Sequence, residues 1–168
     1  MTNSPQIRLF PFDSTFARRV LDDSNVLANQ FHLQVANDDL SMFREVMECE
    51  YNKPVVAGQW MSFLIVSDIN SLVVGTCAFK TTPVPNGCVE IAYVTFPGQR
   101  GHGFATSTAA ALAKLAFETH RVSRVIARTL PERNASCRVL EKSGFRLIGE
   151  VIDPEDGPVW EWEFQREP

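Results

Sequence analysis

Between Val94 and Thr108 the chain reads VTFPGQRGHGFATST, and the residues there with chemical potential are Arg100, Gly101, His102 and Gly103. The two glycines stand where a strand-like pattern ends and an alanine-rich helical pattern begins. At a helix start the first backbone N–H groups lack partners, and the aligned peptide dipoles leave about half a positive charge. A strand that delivers the chain into such a start therefore makes an anion site. Glycine lets backbone and phosphate approach with no Cβ between them, and Arg100 and His102 add side chains able to reach the same anion. Ala109, Ala110, Ala111, Ala113 and Ala116 keep the following helix slim enough to lie close against a sheet.

Three phosphate-binding spacings compete for this loop. A Walker-type loop needs Gly-x-x-x-x-Gly-Lys-Ser/Thr, and the loop holds no lysine. A dinucleotide fingerprint counted from Gly101 needs its third glycine at position 106, which is Thr106. That fingerprint also opens a parallel βαβ unit, whereas this loop follows hairpin-like strands. The third spacing, Arg/Gln-x-x-Gly-x-Gly/Ala, is met by Arg100, Gly103 and Ala105, with Pro97 where the incoming strand should stop.

The elements that must position the loop follow from periodicity. Ile7–Phe12 reads as a strand, with Asp13 or Ser14 as the cap of a short helix through Asp23. Asp38 and Asp39 can start a second helix in which Leu40, Phe43, Val46 and Met47 share a face. WMSFLIVSD and SLVVGTCAFK read as a hairpin, and CVEIAYVTF as a third β run after the turn PVPNG. Beyond the loop come a helix over Ala105–Thr119, a strand RVIARTL, a helix in RNASCRVLEKSG stopped by Gly144, a strand FRLIGEVI, and a last strand PVWEWEF after the turn PEDG. The first half reads as antiparallel and the second as β-α-β-α-β, which predicts one α/β domain on a mixed sheet.

Composition bounds the rest. At 168 residues, with 45% hydrophobic and 21% charged residues, the chain has ordinary globular composition, and a core of that size needs no staples. A net charge of -4 argues against broad binding to nucleic acid or anionic membrane, so an anionic ligand needs a local basic site. Cys49, Cys77, Cys88 and Cys137 form no Cys-x-x-Cys pair and have no histidine at ligand spacing, so no metal site is expected and they read as reduced core residues. The start MTNSPQIRLF lacks a secretory pattern, and no apolar run reaches membrane-spanning length, which leads us to expect a soluble, cytoplasmic protein.

The blocks VEIAYVTFPGQRGHGFAT and NASCRVLEKSGFRLIGEV, in this order and separation, resemble the GNAT superfamily of acyl-CoA N-acyltransferases, and its RimJ/RimL-like branch in particular. The resemblance implies a single domain over 1–168 of the α/β (α+β) class. It implies a mixed, mostly antiparallel twisted sheet of about six or seven strands with about four helices. It implies that the backbone of Arg100, Gly101, His102, Gly103, Phe104, Ala105 and Thr106 wraps the pyrophosphate of acetyl-CoA, with coenzyme A as product. Tyr93, Val94 and Thr95 would run beside the pantetheine arm on a splayed strand, the Thr95 N–H polarising the thioester carbonyl.

Acyl transfer requires that an ammonium lose a proton, the amine attack, and the leaving thiolate be stabilised or protonated. The resemblance makes Glu90 the candidate base; its other reading is a solvent-facing glutamate alternating with Val89 and Ile91. Many relatives carry a tyrosine four residues before the final Gly-Phe pair, where this chain has Leu140. Ser136 is then the candidate partner of the thiolate, or a helix-start residue. Asn134 resembles a pantetheine contact, although the branch spaces it Asn-x-x-Ser and this chain has Asn134-Ala135-Ser136, which leaves an N-cap as the alternative. The acceptor would be a small-molecule or peptide amine, and the assembly a monomer or homodimer. A non-catalytic acyl-CoA-binding sensor or scaffold is the competing class, kept open by Leu140.

Overall fold

In the computed structural model, which describes residues 4–55, 60–80, 82–83 and 85–165, Asp13 marks the start of the first helix. Its Oδ1 accepts the Phe16 N–H at 3.0 Å, capping α1 (Ser14–Asp22) directly after β1 (Ile7–Phe12). Two elements follow that the periodicity did not show: α2 (Val26–Phe31) and β2 (Gln34–Val35). A six-residue helix is under two turns and a two-residue strand has no alternation, so neither leaves a periodic signature. After a 3-10 turn at Asn37–Asp39 comes α3 (Leu40–Tyr51), which buries Phe43 and Met47 and leaves Leu40 48% exposed.

The chain divides into two units. The first comprises Met1–Ala78 and Tyr93–Phe104. Its strands are β1, antiparallel to β3 (Ser62–Ser67), then β4 (Leu72–Phe79) antiparallel to β3, with β2 parallel to β4. Phe12, Phe16, Val20, Leu33, Phe43, Met47, Leu64, Val73 and Phe96 build its core. The last residues of β5 (Cys88–Thr95) come so close to β4 that an ideal Cβ on Gly75 would lie 2.1 Å from the Val94 carbonyl oxygen. Only glycine fits there. The Phe96 N–H then donates to the Val74 carbonyl at 2.9 Å, and the fully buried Phe96 ring meets Phe43 edge-on at 6.4 Å.

The second unit comprises Phe79–Ala92 and Ala105–Pro168. The first residues of β5, Cys88–Glu90, pair in parallel with Arg124–Ile126 of β6 (Arg124–Thr129). A parallel pair needs a crossover, and α4 (Phe104–Glu118) supplies it. After α5 (Ala135–Lys142), β7 (Arg146–Asp153) and β8 (Gly157–Gln165) form an antiparallel pair, with β8 antiparallel to β6, giving the order β5-β6-β8-β7. Trp162 is buried here and donates its indole N–H to Thr129 Oγ1 at 3.1 Å, while Phe164 packs on Phe117 and Phe145.

The α/β class and the mixed, mostly antiparallel pairing are as expected. Among the described residues the strands number eight rather than about six or seven, and the α-helices five rather than about four, because of α2 and β2. Cys77, Cys88 and Cys137 are buried, whereas Cys49 on α3 is exposed rather than part of a core. Among the described residues no helix is long and apolar enough to cross a membrane.

Gly75→Ala is expected to destabilise the protein by about 3 kcal/mol, since backbone on the neighbouring strand must move to admit the methyl group. Urea unfolding followed by circular dichroism measures this. A midpoint unchanged from wild type would show that the close approach at Val94 carries no constraint.

Candidate functional site

The loop that follows Phe96 is built by local rules. Pro97–Gln99 forms a 3-10 turn in which the Gln99 N–H donates to the Phe96 carbonyl at 2.9 Å. Gly101 and Gly103 then take φ of 83° and 84°, the left-handed region that glycine enters without penalty. An ideal Cβ on Gly101 meets nothing within 4 Å, whereas one on Gly103 would press on the Pro5 ring at 3.2 Å. The N–H groups of Gly101, His102 and Gly103 have no acceptor among the described residues. Phe104, Ala105 and Thr106 then form the first turn of α4, the end of a helix where the aligned peptide dipoles leave partial positive charge. Arg100 is exposed and makes no ion pair among the described residues. His102 does not hang free: its Nδ1 lies 3.2 Å from the Gln99 carbonyl and its ring 6.2 Å from that of Phe104, bracing the loop.

Sequence reasoning missed a residue that holds this loop from outside. Asp39 was read as a helix start, and it does stand at the head of α3, but its side chain makes no capping bond there. Its carboxylate, wholly buried, instead accepts the Gly98 N–H at 2.8 Å and the Gln99 side-chain amide at 2.9 Å. The only signal in the sequence was the Asp-Asp pair, because the contact spans 59 positions. Just upstream of the loop, Tyr93 is half-buried, Val94 is exposed, and Thr95 Oγ1 is shielded from solvent with no partner among the described residues.

In the second unit Glu90 is 7% exposed, not solvent-facing, because β5 is buried on both faces from Cys88 to Ile91. Its Oε1 lies 3.0 Å from Lys80 Nζ and its Oε2 3.2 Å from Arg128 Nη1. Arg128 Nη1 also reaches Asp153 at 2.8 Å, and Nη2 reaches Glu161 at 3.1 Å. The sheet register explains the gathering: Arg128 pairs with Glu161 across β6 and β8, and Ile126, two residues before Arg128, pairs with Glu90. Three carboxylates thus share two cations. The bond to Glu90 pushes the Lys80 ammonium up from its ordinary value. The backbone N–H groups of Asp156 and Glu155 hold the Asp153 carboxyl below its own.

On α5, Asn134 Oδ1 accepts the Cys137 N–H at 3.1 Å, so this side chain is the helix cap. Ser136 is exposed, shares no hydrogen bond with the Glu90 group, and has no partner among the described residues. Leu140 is 1% exposed and part of the core. Burial pushes the Cys88 thiol up, against the opposing pull of Arg124, and burial alone pushes the Cys77 thiol up. No cluster of three metal-ligating side chains occurs among the described residues. The structure therefore brings Glu90 together with Lys80, Arg128, Asp153 and Glu161, and sets the left-handed glycines Gly101 and Gly103 directly ahead of α4.

Comparison with known proteins bears on this geometry. The family profile described as "Acetyltransferase (GNAT) domain" matches residues 15–146. An uncharacterized N-acetyltransferase p20 from Bacillus licheniformis is 29% identical over 117 residues, covering 70% of this chain and 65% of that protein. An uncharacterized N-acetyltransferase YjdG from Bacillus subtilis (strain 168) is 35% identical over 86 residues, 51% of each chain. The alignments thus span under two thirds of these relatives' length. Among solved structures, an aminoglycoside acetyltransferase in complex with coenzyme A superposes with a TM-score of 0.65 at 20% identity, covering 96% of this chain and 95% of that one. At that identity the likeness concerns the fold.

A folded-state carboxyl held low contributes stability that is complete above its unfolded pKa and is lost as pH falls through the folded one. Asp153→Asn should therefore lower the melting temperature at pH 7, and the gap to wild type should close below about pH 4. Thermal melts between pH 3 and pH 7 test this; a gap of constant size would show that the Asp153 charge does not contribute.

Proposed function

The chain belongs to the GNAT acetyltransferase family, and on that premise we propose that it is an acetyl-CoA-dependent N-acetyltransferase of the RimJ/RimL-like branch, a single catalytic domain acting on a primary amine. The observation that carries this reading is the loop from Arg100 to Thr106, with its left-handed glycines and the N–H groups of Gly101, His102 and Gly103, which have no acceptor among the described residues, leading into α4.

Acetyl-CoA is the family's cofactor, and the residues present suit it. Gly101 leaves open space where a side chain would stand, the loop offers backbone donors to a pyrophosphate, and Arg100 has no competing carboxylate among the described residues. Thr95 Oγ1, buried and orphaned just before the loop, adds a polar atom suited to a bound group. When bound, acetyl-CoA supplies an acetyl group activated as a thioester.

Glu90 takes the proton of the incoming ammonium, directly or through a water molecule. Its carboxylate has about four lone-pair sites, of which Lys80 and Arg128 occupy two, so acceptor capacity remains. The surrounding group carries three carboxylates against two cations, and this single excess negative charge favours a protonated amine over a neutral or anionic acceptor. Ser136, exposed on the first turn of α5, offers its hydroxyl to the departing thiolate. Asn134 binds the cofactor arm through whatever capacity its capping bond leaves. The buried thiols Cys77 and Cys88 fit direct transfer without an acyl-enzyme.

Leu140, sealed in the core where relatives often carry a tyrosine, favours the second reading of a non-catalytic acyl-CoA binder. The two separate cleanly. Calorimetric titration with acetyl-CoA, coenzyme A, NAD and ATP in parallel should show selective acetyl-CoA binding, abolished by Gly103→Asp. In a coupled thiol-release assay over an amine panel, Glu90→Gln should lower kcat by about a hundredfold and Ser136→Ala by about tenfold, with cofactor affinity nearly unchanged. Binding without thiol release for any amine would establish the sensor reading, and no binding would remove both.

A further inference from the structure

We propose that Asp39 is a positioning residue that preforms the cofactor loop, an inference that rests on the reading of Arg100–Thr106 as the pyrophosphate loop. Four observations in the first unit carry it. Asp39 is fully buried, yet no cation faces it among the described residues. Burying a carboxylate without a counter-ion is costly unless strong donors compensate. Its two oxygens meet two donors, the Gly98 N–H at 2.8 Å and the Gln99 amide at 2.9 Å, and such charge-assisted bonds are about twice as strong as neutral ones.

The second observation is that Asp39 forgoes the local bond its position offers: it heads α3, but caps nothing there. The third is that Gly98 accommodates it. A Cβ at Gly98 would lie 3.0 and 3.1 Å from the two carboxylate oxygens, so any side chain there would push the anchor away. The fourth is that the bond network runs on into the loop. Gln99, held by Asp39 through its side chain, offers its carbonyl to His102 Nδ1, and His102 lies between the two left-handed glycines. One turn along α3, Phe43 packs on Phe96 and fixes the other end of the same short segment.

The consequence is entropic. Only Arg100–Gly103 lies between the anchored turn and the start of α4, so the conformational cost of shaping the loop falls on folding and not on ligand binding. Asp39 touches no reacting atom in this scheme. Its removal should weaken cofactor binding and leave the chemical step alone.

The test is calorimetric titration of acetyl-CoA into wild type, Asp39→Ala, Asp39→Asn and Gln99→Ala, with hydrogen exchange of the 97–104 segment followed in each. Asp39→Ala should raise the Kd by about tenfold or more and KM for acetyl-CoA in parallel, with kcat within about twofold of wild type. Exchange at Gly98 through Gly103 should accelerate. Asp39→Asn keeps an acceptor for the Gly98 N–H and can donate to a turned Gln99 amide, so it should restore most of the affinity. Gln99→Ala, which leaves the buried carboxylate and its backbone bond in place, should give a smaller loss and serves if Asp39→Ala does not fold. Wild-type affinity and exchange in both Asp39→Ala and Gln99→Ala would overturn the proposal while leaving the pyrophosphate loop standing. A loss no greater than that of Leu33→Ala, a core lesion away from the loop, would overturn it as mere destabilisation. Failure of wild type itself to bind acetyl-CoA would instead remove the cofactor reading, and this inference with it.

Discussion

A guanidinium set among three carboxylates is the constraint on which the candidate chemistry depends. Arg128 projects from near the end of β6, half-buried, where partial burial penalises its charge, and Glu90, Asp153 and Glu161 come to it from three other strands to offset that penalty. The dependence is mutual. Each of those carboxylates is itself largely withdrawn from water, and without Arg128 the Asp153 and Glu161 carboxylates would lose their ion pair while Glu90 would keep only Lys80. The group thereby fixes the side chain of Glu90 and ties β5, β6, β7 and β8 into one register of charges. A lone glutamate on a flexible strand can accept a proton, but it cannot hold its oxygen in a constant place while doing so.

How much of this was legible depended on the range over which each feature is determined. The loop was legible because its demands are local: Gly101 and Gly103 must adopt left-handed φ, and a strand must end before a helix begins. The long alanine-rich helix and the β-rich runs were legible for the same reason, since period alone separates them. Glu90 stood out as a candidate base, but its setting did not show in the sequence. Alternation with Val89 and Ile91 suggested a half-exposed strand, whereas β5 is buried on both faces, and there alternation no longer distinguishes inside from outside. For Asn134 the sequence admits two roles, and the structure shows the capping one.

Arg128 and Asp39 were not legible at all. An arginine inside RVIARTL looks like a strand residue, and nothing marks it as a centre until the register places Glu161 opposite and Asp153 nearby. Asp39 sat in a plausible capping position, so a satisfactory local explanation hid a distant one. Charged groups are read poorly from sequence because their partners are chosen by topology, whereas glycines in turns are read well because their reason lies in their own backbone. Leu140 is an intermediate case. Its departure from the tyrosine of relatives was visible, but only its burial shows that the position serves the core.

The distribution of thiols has a practical corollary. Four cysteines are present, three of them buried, and Cys49 alone is accessible, on the helix whose first turn adjoins Asp39. A maleimide dye added under native conditions would therefore react at one place without any cysteine having to be engineered out. That place is on α3, the element that touches Phe96 and directly follows Asp39, which holds the turn before the loop. The natural chain thus carries its own attachment point for a fluorescent reporter, so that ordering around the loop is open to observation in the unaltered protein.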